Sequence, residues 1–210
     1  MNETKSANLL NKAAKIISVI FHPLFMPLYG LFLIFSIPTV YSYLSLSVKL
    51  FLFFVILINN ITLPLILLIS LKVKNRISSW EMESRKERML PLFIATTLYA
   101  ITSYIIIKSP IPVFIKTYFM GILLVSSSVA VINNWWKISV HAAGSGALTA
   151  LALMLSFIMY HTVILPLTAI IIAAGLTLSS RLRLNSHTPA QAWFGFLLAF
   201  IEIGLLFGFV

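Results

Sequence analysis

Apolar residues run through the chain in seven long blocks, approximately 16–37, 48–71, 90–107, 116–132, 141–159, 162–179 and 189–209, separated by short polar or turn-forming segments. Each block approaches the ~20 apolar residues that one helical bilayer crossing needs. The pattern predicts an all-α bundle of six to seven transmembrane helices. Block 116–132 is the shortest, so residues 90–132 read either as two crossings or as a re-entrant hairpin, which leaves five full crossings plus that hairpin. Both readings place the later segments on the same sides. Pro23, Pro27 and Pro64 fall inside blocks, where each removes a backbone donor and should kink its helix. Residues 1–15 are polar, carry Lys5, Lys12 and Lys15, and lack the small-residue cleavage site of a secretory signal. They read as an uncleaved amphipathic lead-in to a single transmembrane domain over 16–210.

Composition sharpens this picture. The 210 residues are 60% hydrophobic and 10% charged, with a mean hydropathy of +1.03, against about 25% charged in a soluble domain. Soluble globular readings are excluded, and a multi-pass protein of the cell (inner) membrane is expected. The absence of cysteine excludes disulfides, thiolate nucleophiles and Cys-bound zinc. The acidic residues are Glu3, Glu81, Glu83, Glu87 and Glu202, with no aspartate, so the acid-rich Mg²⁺ sites of much phosphoryl chemistry are missing and no metal or cofactor is expected. A net charge of +10 implies topology signals or anionic partners such as lipid phosphates. The basic residues lie between spans and not on a soluble face, which argues against nucleic acid.

Three polar islands carry the candidate chemistry. Residues 72–89 read KVKNRISSWEMESRKERM, 133–146 read NNWWKISVHAAGSG and 179–191 read SSRLRLNSHTPAQ. They lie between blocks 2 and 3, 4 and 5, and 6 and 7, so alternating topology puts all three on one membrane face. Each ends where a helix begins. Ser84 and Glu87 have capping-box spacing, which starts a helix near Arg85 and sets Arg85, Lys86 and Arg88 in its first turn. Those cations oppose the helix dipole, and a bound anion would offset the cost. Ser139 and His141 open the next helix, and Thr188 with Pro189 reads as an N-cap followed by proline at the first helical position. Converging helix N-termini, Arg and Lys side chains together describe an oxyanion pocket at the membrane interface.

The residues of this pocket resemble the type 2 phosphatidic acid phosphatase and vanadium haloperoxidase superfamily. SRLRLNSH matches its third motif, S-R-x5-H-x3-D, through Ser180, Arg181 and His187. ISVHAAG is similar to its second motif, P-S-G-H, with Ser139 and His141 kept and Ile138 and Val140 replacing proline and glycine. Its first motif, K-x6-R-P, aligns through Arg88, with Glu81 at the lysine position and proline only at Pro91. The resemblance covers about residues 75–200. It implies a lipid-phosphate phosphatase in which His187 attacks phosphorus to form a phosphohistidine and His141 protonates the leaving oxygen. It further implies that Arg181 and Arg88 clamp the phosphoryl group, with Ser139 adding a hydroxyl donor. Imidazole suits both histidine roles near neutral pH, and the planar guanidinium suits tetrahedral oxyanions. Arg85 joins the clamp as a further first-turn cation, and Lys137 is a charge-based substitute for the missing lysine. Gln191 stands where the family has aspartate; its carbonyl accepts a histidine N–H but brings no charge. A slow enzyme or a binding-only relative therefore stays open beside the phosphatase. A small transporter is a further alternative, motivated by Glu202, Asn59 and Asn60 within apolar blocks. The substrate lipid is left open among phosphatidate, phosphatidylglycerol phosphate, polyprenyl (pyro)phosphate and lipid A phosphate.

Other polar residues have plainer readings. His22 and His161 read as interfacial or helix-packing residues, Arg183 as a complement to a helix C-terminus, Gly144 and Gly146 as close-packing positions, and Asn59, Asn60 and Thr62 as interhelical hydrogen-bond partners. Of the 15 Lys and Arg residues, all but Lys49, Lys108 and Lys116 fall on the face with the islands and the N-terminus. The positive-inside rule puts that face in the cytoplasm, whereas the resemblance implies the opposite side.

Overall fold

The structure is a computed structural model, which describes residues 2–80, 82, 84–159 and 163–208. Among these residues the fold is an all-α polytopic bundle without strands. Its helices are α1 (Asn2–Ile20), α2 (Met26–Ser36), α3 (Leu46–Val55), α4 (Leu63–Val73), α5 (Arg85–Lys108), α6 (Val113–Ile132), α7 (Val140–Met159), α8 (Ile164–Arg183) and α9 (Pro189–Gly208). Seven stretches are long and apolar enough to cross a membrane: Ser6–Ser36, Leu46–Val73, Arg85–Lys108, Val113–Ile132, Val140–Phe157, Ile164–Arg183 and Pro189–Gly208. Large apolar side chains such as Phe54, Phe93 and Leu165 point outward, the arrangement that a lipid solvent permits.

Residues 90–132 form two full-length helices and not a re-entrant hairpin. α5 has 24 residues and α6 has 20, about 36 and 30 Å at 1.5 Å per residue. They pack antiparallel, with the Thr96 hydroxyl donating to the Ser126 carbonyl and Ser103 to Phe119.

Of the three prolines expected to kink their helices, Pro23 interrupts its crossing, Pro64 follows a widened turn and Pro27 leaves its helix unbroken. At Pro23 the first crossing breaks: a 3₁₀ turn over Pro23–Phe25 separates α1 from α2, and the His22 Nδ1 accepts the Leu24 amide as an N-cap. Proline lacks the N–H that would continue α1, and it disfavours helical backbone at His22. Pro27 sits in the first turn of α2, where no donor is lost. Ahead of Pro64 the second crossing widens into a π-helical segment, Ile56–Thr62, with Leu63 donating to Ile58. This unwinding faces Asn60 inward, where its side-chain oxygen accepts from Thr102 at 2.8 Å. α1, which contains the polar lead-in, is helical from Asn2 and packs along α8.

α7 is the central helix, packed against α9, α8 and α2. Small residues permit the closest of these crossings. A Cβ on Gly146 would overlap the Phe196 carbonyl, and one on Gly195 would press on the Ser139 carbonyl at 2.7 Å. Because α7 and α9 meet backbone to backbone near their N-terminal ends, the Ser139 amide also reaches the Gln191 carbonyl, at 3.3 Å. This contact sets the second island beside the third.

Candidate active site

The starts of α5, α7 and α9 and the end of α8 gather at one end of the bundle, joined there by the C-terminal part of α1. Between them lies a cavity of about 490 Å³, within the size range of small-molecule sites. Its polar end is lined by Lys15, Ser18, His22, Arg88, His141, Arg181 and His187, whereas the remaining walls, from α2, α4, α5, α6 and α7, are almost wholly apolar.

His187 precedes α9 and is held by that helix's own cap. The Thr188 hydroxyl accepts the Gln191 amide at 3.3 Å, and the Gln191 side-chain oxygen accepts the Thr188 amide at 3.1 Å. This is a reciprocal capping box. The same Gln191 oxygen lies 3.3 Å from His187 Nδ1. A backbone N–H can only donate, so the atom facing it is the amide oxygen, and His187 Nδ1 must then carry a proton. The lone pair is left on Nε2, which faces Arg88 Nη1 at 3.4 Å. Burial first, and then the guanidiniums of Arg88 and Arg181, depress the pKa of His187 to about 3; the Gln191 bond opposes this and Lys137 adds to it. His187 is therefore neutral, with an unprotonated Nε2, throughout the physiological range.

Arg88 is fixed by the loop it follows. Its Nε donates to the Met82 carbonyl at 2.9 Å and its Nη1 to the Ile138 carbonyl at 3.5 Å. Met82 adopts a positive φ of 44°, a left-handed turn that returns the loop over the start of α5. The Ser84–Glu87 capping box does not form. Ser84 makes no side-chain cap, and the Glu87 carboxylate instead accepts the Ser78 amide at 3.3 Å, because the same loop folds back with Ile77 buried.

His141, on the first turn of α7, contacts the Ser18 carbonyl through Nε2 at 3.1 Å. A carbonyl only accepts, so that nitrogen is protonated and Nδ1 is the exchangeable position. The His22 ring meets His141 edge to face, centroids 5.2 Å apart, and Ser18 Oγ accepts from Arg181 at 3.3 Å.

Of the residues expected at the site, Arg88, Arg181, His141 and His187 line the cavity, and Gln191 stands directly behind His187. Arg85 does not reach it: its guanidinium donates to the Asn134 carbonyl, while Asn133 returns a bond to the Arg85 carbonyl. Arg85 thus staples the first island to the second. Ser139 is fully buried, and its hydroxyl accepts the Ala142 amide at 3.4 Å, capping α7 behind the cavity wall. Lys137 is near enough to disfavour protonation of His187. Arg183 turns to α1 and donates to the Ala7 carbonyl. Glu81, Glu83 and His161 lie outside the described residues. Of the features that suggested a transporter, Glu202 accepts from Ser128 at 2.6 Å and Asn60 accepts from Thr102 at 2.8 Å.

Lys15, Ser18 and His22 were not expected at the site. One signal was present: a His-Pro pair interrupting an apolar block, with a serine one helical turn before it. Among the described residues no group of three or more His, Asp or Glu could hold a metal ion.

A carboxylate at position 191 would keep both acceptor bonds and add a charge beside the Nδ1 proton. In Gln191→Glu the pKa of His187 should rise toward the ordinary imidazole range, read by NMR titration of the histidine ring; an unmoved titration would show that Gln191 does not govern His187.

No family model matches the chain, and no curated protein or solved structure shows significant similarity to it. The fold defines a polytopic α-helical membrane protein, and the cavity within it is built to join a cationic, imidazole-bearing end to an apolar corridor.

Proposed function

We propose that the protein is a lipid-phosphate phosphatase, similar in chemistry to the type 2 phosphatidic acid phosphatases, that works without a metal through a phosphohistidine on His187. The observation that carries this reading is the polarity of one continuous cavity: two arginines and two histidines at one end, and an apolar corridor from there into the bundle. A phosphate head and a hydrocarbon chain meet those two requirements together.

Arg88 and Arg181 bind the phosphoryl oxygens through charge-assisted donors. The Nε2 lone pair of His187 forms a bond to phosphorus as the bond from phosphorus to the lipid oxygen breaks. His141, protonated at both nitrogens with Nε2–H on the Ser18 carbonyl, gives its Nδ1 proton to the departing oxygen. Water then attacks the phosphohistidine, its proton returns to His141 Nδ1, and inorganic phosphate leaves with His187 restored. Gln191 orients the nucleophile without adding charge, which specifically favours a second reading, a relative that binds lipid phosphates and turns them over slowly or not at all. The excess of Lys and Arg on the site's face supports a cytoplasmic orientation.

The test is release of inorganic phosphate by the purified protein in detergent micelles from a panel of lipid monophosphates and diphosphates, with chelator present. Chelator-resistant release supports the phosphatase. Saturable binding without release supports the second reading, and neither binding nor release overturns both.

A further inference from the structure

The apolar corridor has a floor at a fixed depth. On α5 its lining runs from Arg88 to Tyr99, and on α6 from Val129 to Tyr118. Each path advances eleven positions, about 16 Å of helix axis at 1.5 Å per residue, or roughly half the ~30 Å hydrocarbon core of a bilayer. Two helices running in opposite directions thus give the same depth, one leaflet.

The floor is built and not incidental. Tyr118 is 3% exposed, and its hydroxyl donates to the carbonyls of Met26 at 3.3 Å and Pro27 at 3.1 Å. It lies over Gly30, where any Cβ would overlap the phenol oxygen. Glycine there makes room for the ring to cross the corridor. Immediately beyond, Ile34, Ile115, Phe119 and Leu151 are fully or almost fully buried in the core, and a close-packed core does not accept extra methylenes without strain.

We propose that Tyr99 and Tyr118 set the length of lipid chain that the protein accepts. An extended chain advances about 1.2 Å per bond, as a polypeptide advances ~3.6 Å over three, so about thirteen carbons reach from the phosphate site to the floor. The substrate class is then a lipid phosphate in which one unbranched chain of about thirteen carbons or fewer lies inside the bundle. A chain drawn from surrounding lipid gains little on entering an equally apolar corridor. Length therefore matters only when the chain exceeds the space.

This inference rests on the phosphatase reading, and the experiment separates the two. Alkyl monophosphates of about six to eighteen carbons (lengths chosen to bracket the depth above) are presented at equal mole fraction in detergent micelles, and phosphate release is followed. The expected kcat/KM is level up to roughly thirteen carbons and falls by about tenfold or more by the longest chain. Ala95 lines the corridor about 10 Å from Arg88 along α5. In Ala95→Phe the fall should begin near about eight carbons, and Ala147→Phe on the facing wall is the second variant. Level activity across all chain lengths in the wild type would overturn the floor while leaving the phosphatase standing, as would a fall at an unchanged length in both variants. Release from none of the substrates, the shortest included, would overturn the phosphatase reading itself.

Discussion

Replacing His187 by alanine should reduce phosphate release from a lipid monophosphate by on the order of 10³-fold or more, because a covalent mechanism has no other attacking atom at that position. The Gln191 bond fixes the ring with its lone pair on Nε2, and the depressed pKa of about 3 keeps that lone pair available. The sign is specific. A histidine whose pKa is lowered loses nucleophilicity only when pH falls toward 3, so wild-type activity should show no acid limb near pH 6.5 from this residue in the free enzyme. Brief exposure of the wild type to substrate carrying a radiolabelled phosphate should leave an acid-labile, alkali-stable label on the protein, and His187→Ala should carry none. The substitution removes no partner of the Thr188–Gln191 cap, so α9 keeps its start and the loss is chemical. Equal phosphate release from the variant, or a label that survives in it, would remove His187 from the reaction.

The bundle was legible because hydropathy reports a solvent. A bilayer requires about 20 apolar residues per crossing whatever their identities, and the seven blocks differ from the observed helices mainly at their ends. The meeting of the three islands was legible for a related reason: parity follows from the count of crossings and needs no tertiary detail. What pattern could not reveal is where a side chain turns once helices pack. Arg85 and Arg88 share one helical turn, yet Arg88 enters the cavity and Arg85 bonds the Asn134 carbonyl, a division decided by the loop over the start of α5. Ser84 and Glu87 have the spacing of a capping box, but that loop offers Glu87 a different amide. The amphipathic lead-in over 1–15 carries no expected site residue, yet its Lys15 lines the cavity, and Ser18 at the start of the first apolar block reaches both Arg181 and His141. That contact depends on α1 lying along α8, a long-range event that local spacing does not encode.

The double use of Gln191 goes beyond the sequence reading, which took Thr188 as the N-cap and Gln191 only as an acceptor for a histidine N–H. Thr188 and Gln191 spell a capping box as plainly as Ser84 and Glu87 do. Joining the helix cap to the nucleophile makes the orientation of His187 a consequence of starting α9, so folding of the helix and readiness of the site are one event. A glutamine meets that demand with a neutral oxygen. Electrostatic assistance to the reaction then has to come from elsewhere in the cavity, and the guanidiniums are the groups placed to supply it.

Arg88→Ala should therefore have the second-largest effect, a fall of about 10²- to 10³-fold in kcat/KM, the range seen when a donor to a developing oxyanion is removed from a preorganised site. Arg88→Lys should recover little of it. Arg88 uses its fork on the Met82 and Ile138 carbonyls while facing the cavity, and an ammonium cannot reproduce three directed donors from one planar group. A second readout separates this role from a merely structural one. After burial, Arg88 is the largest influence lowering the pKa of His187, ahead of Arg181. Removing a neighbouring positive charge favours the protonated ring, so Arg88→Ala should raise the His187 titration, and Arg181→Ala should raise it by less. An NMR titration in the absence of substrate measures both. The same reasoning links binding to chemistry: a phosphate dianion seated on the two guanidiniums offsets their charge at His187 and makes its ring a stronger base at the moment it attacks. Full activity in Arg88→Lys, or a His187 titration indifferent to Arg88→Ala, would show that the guanidinium neither clamps the phosphate nor tunes the nucleophile.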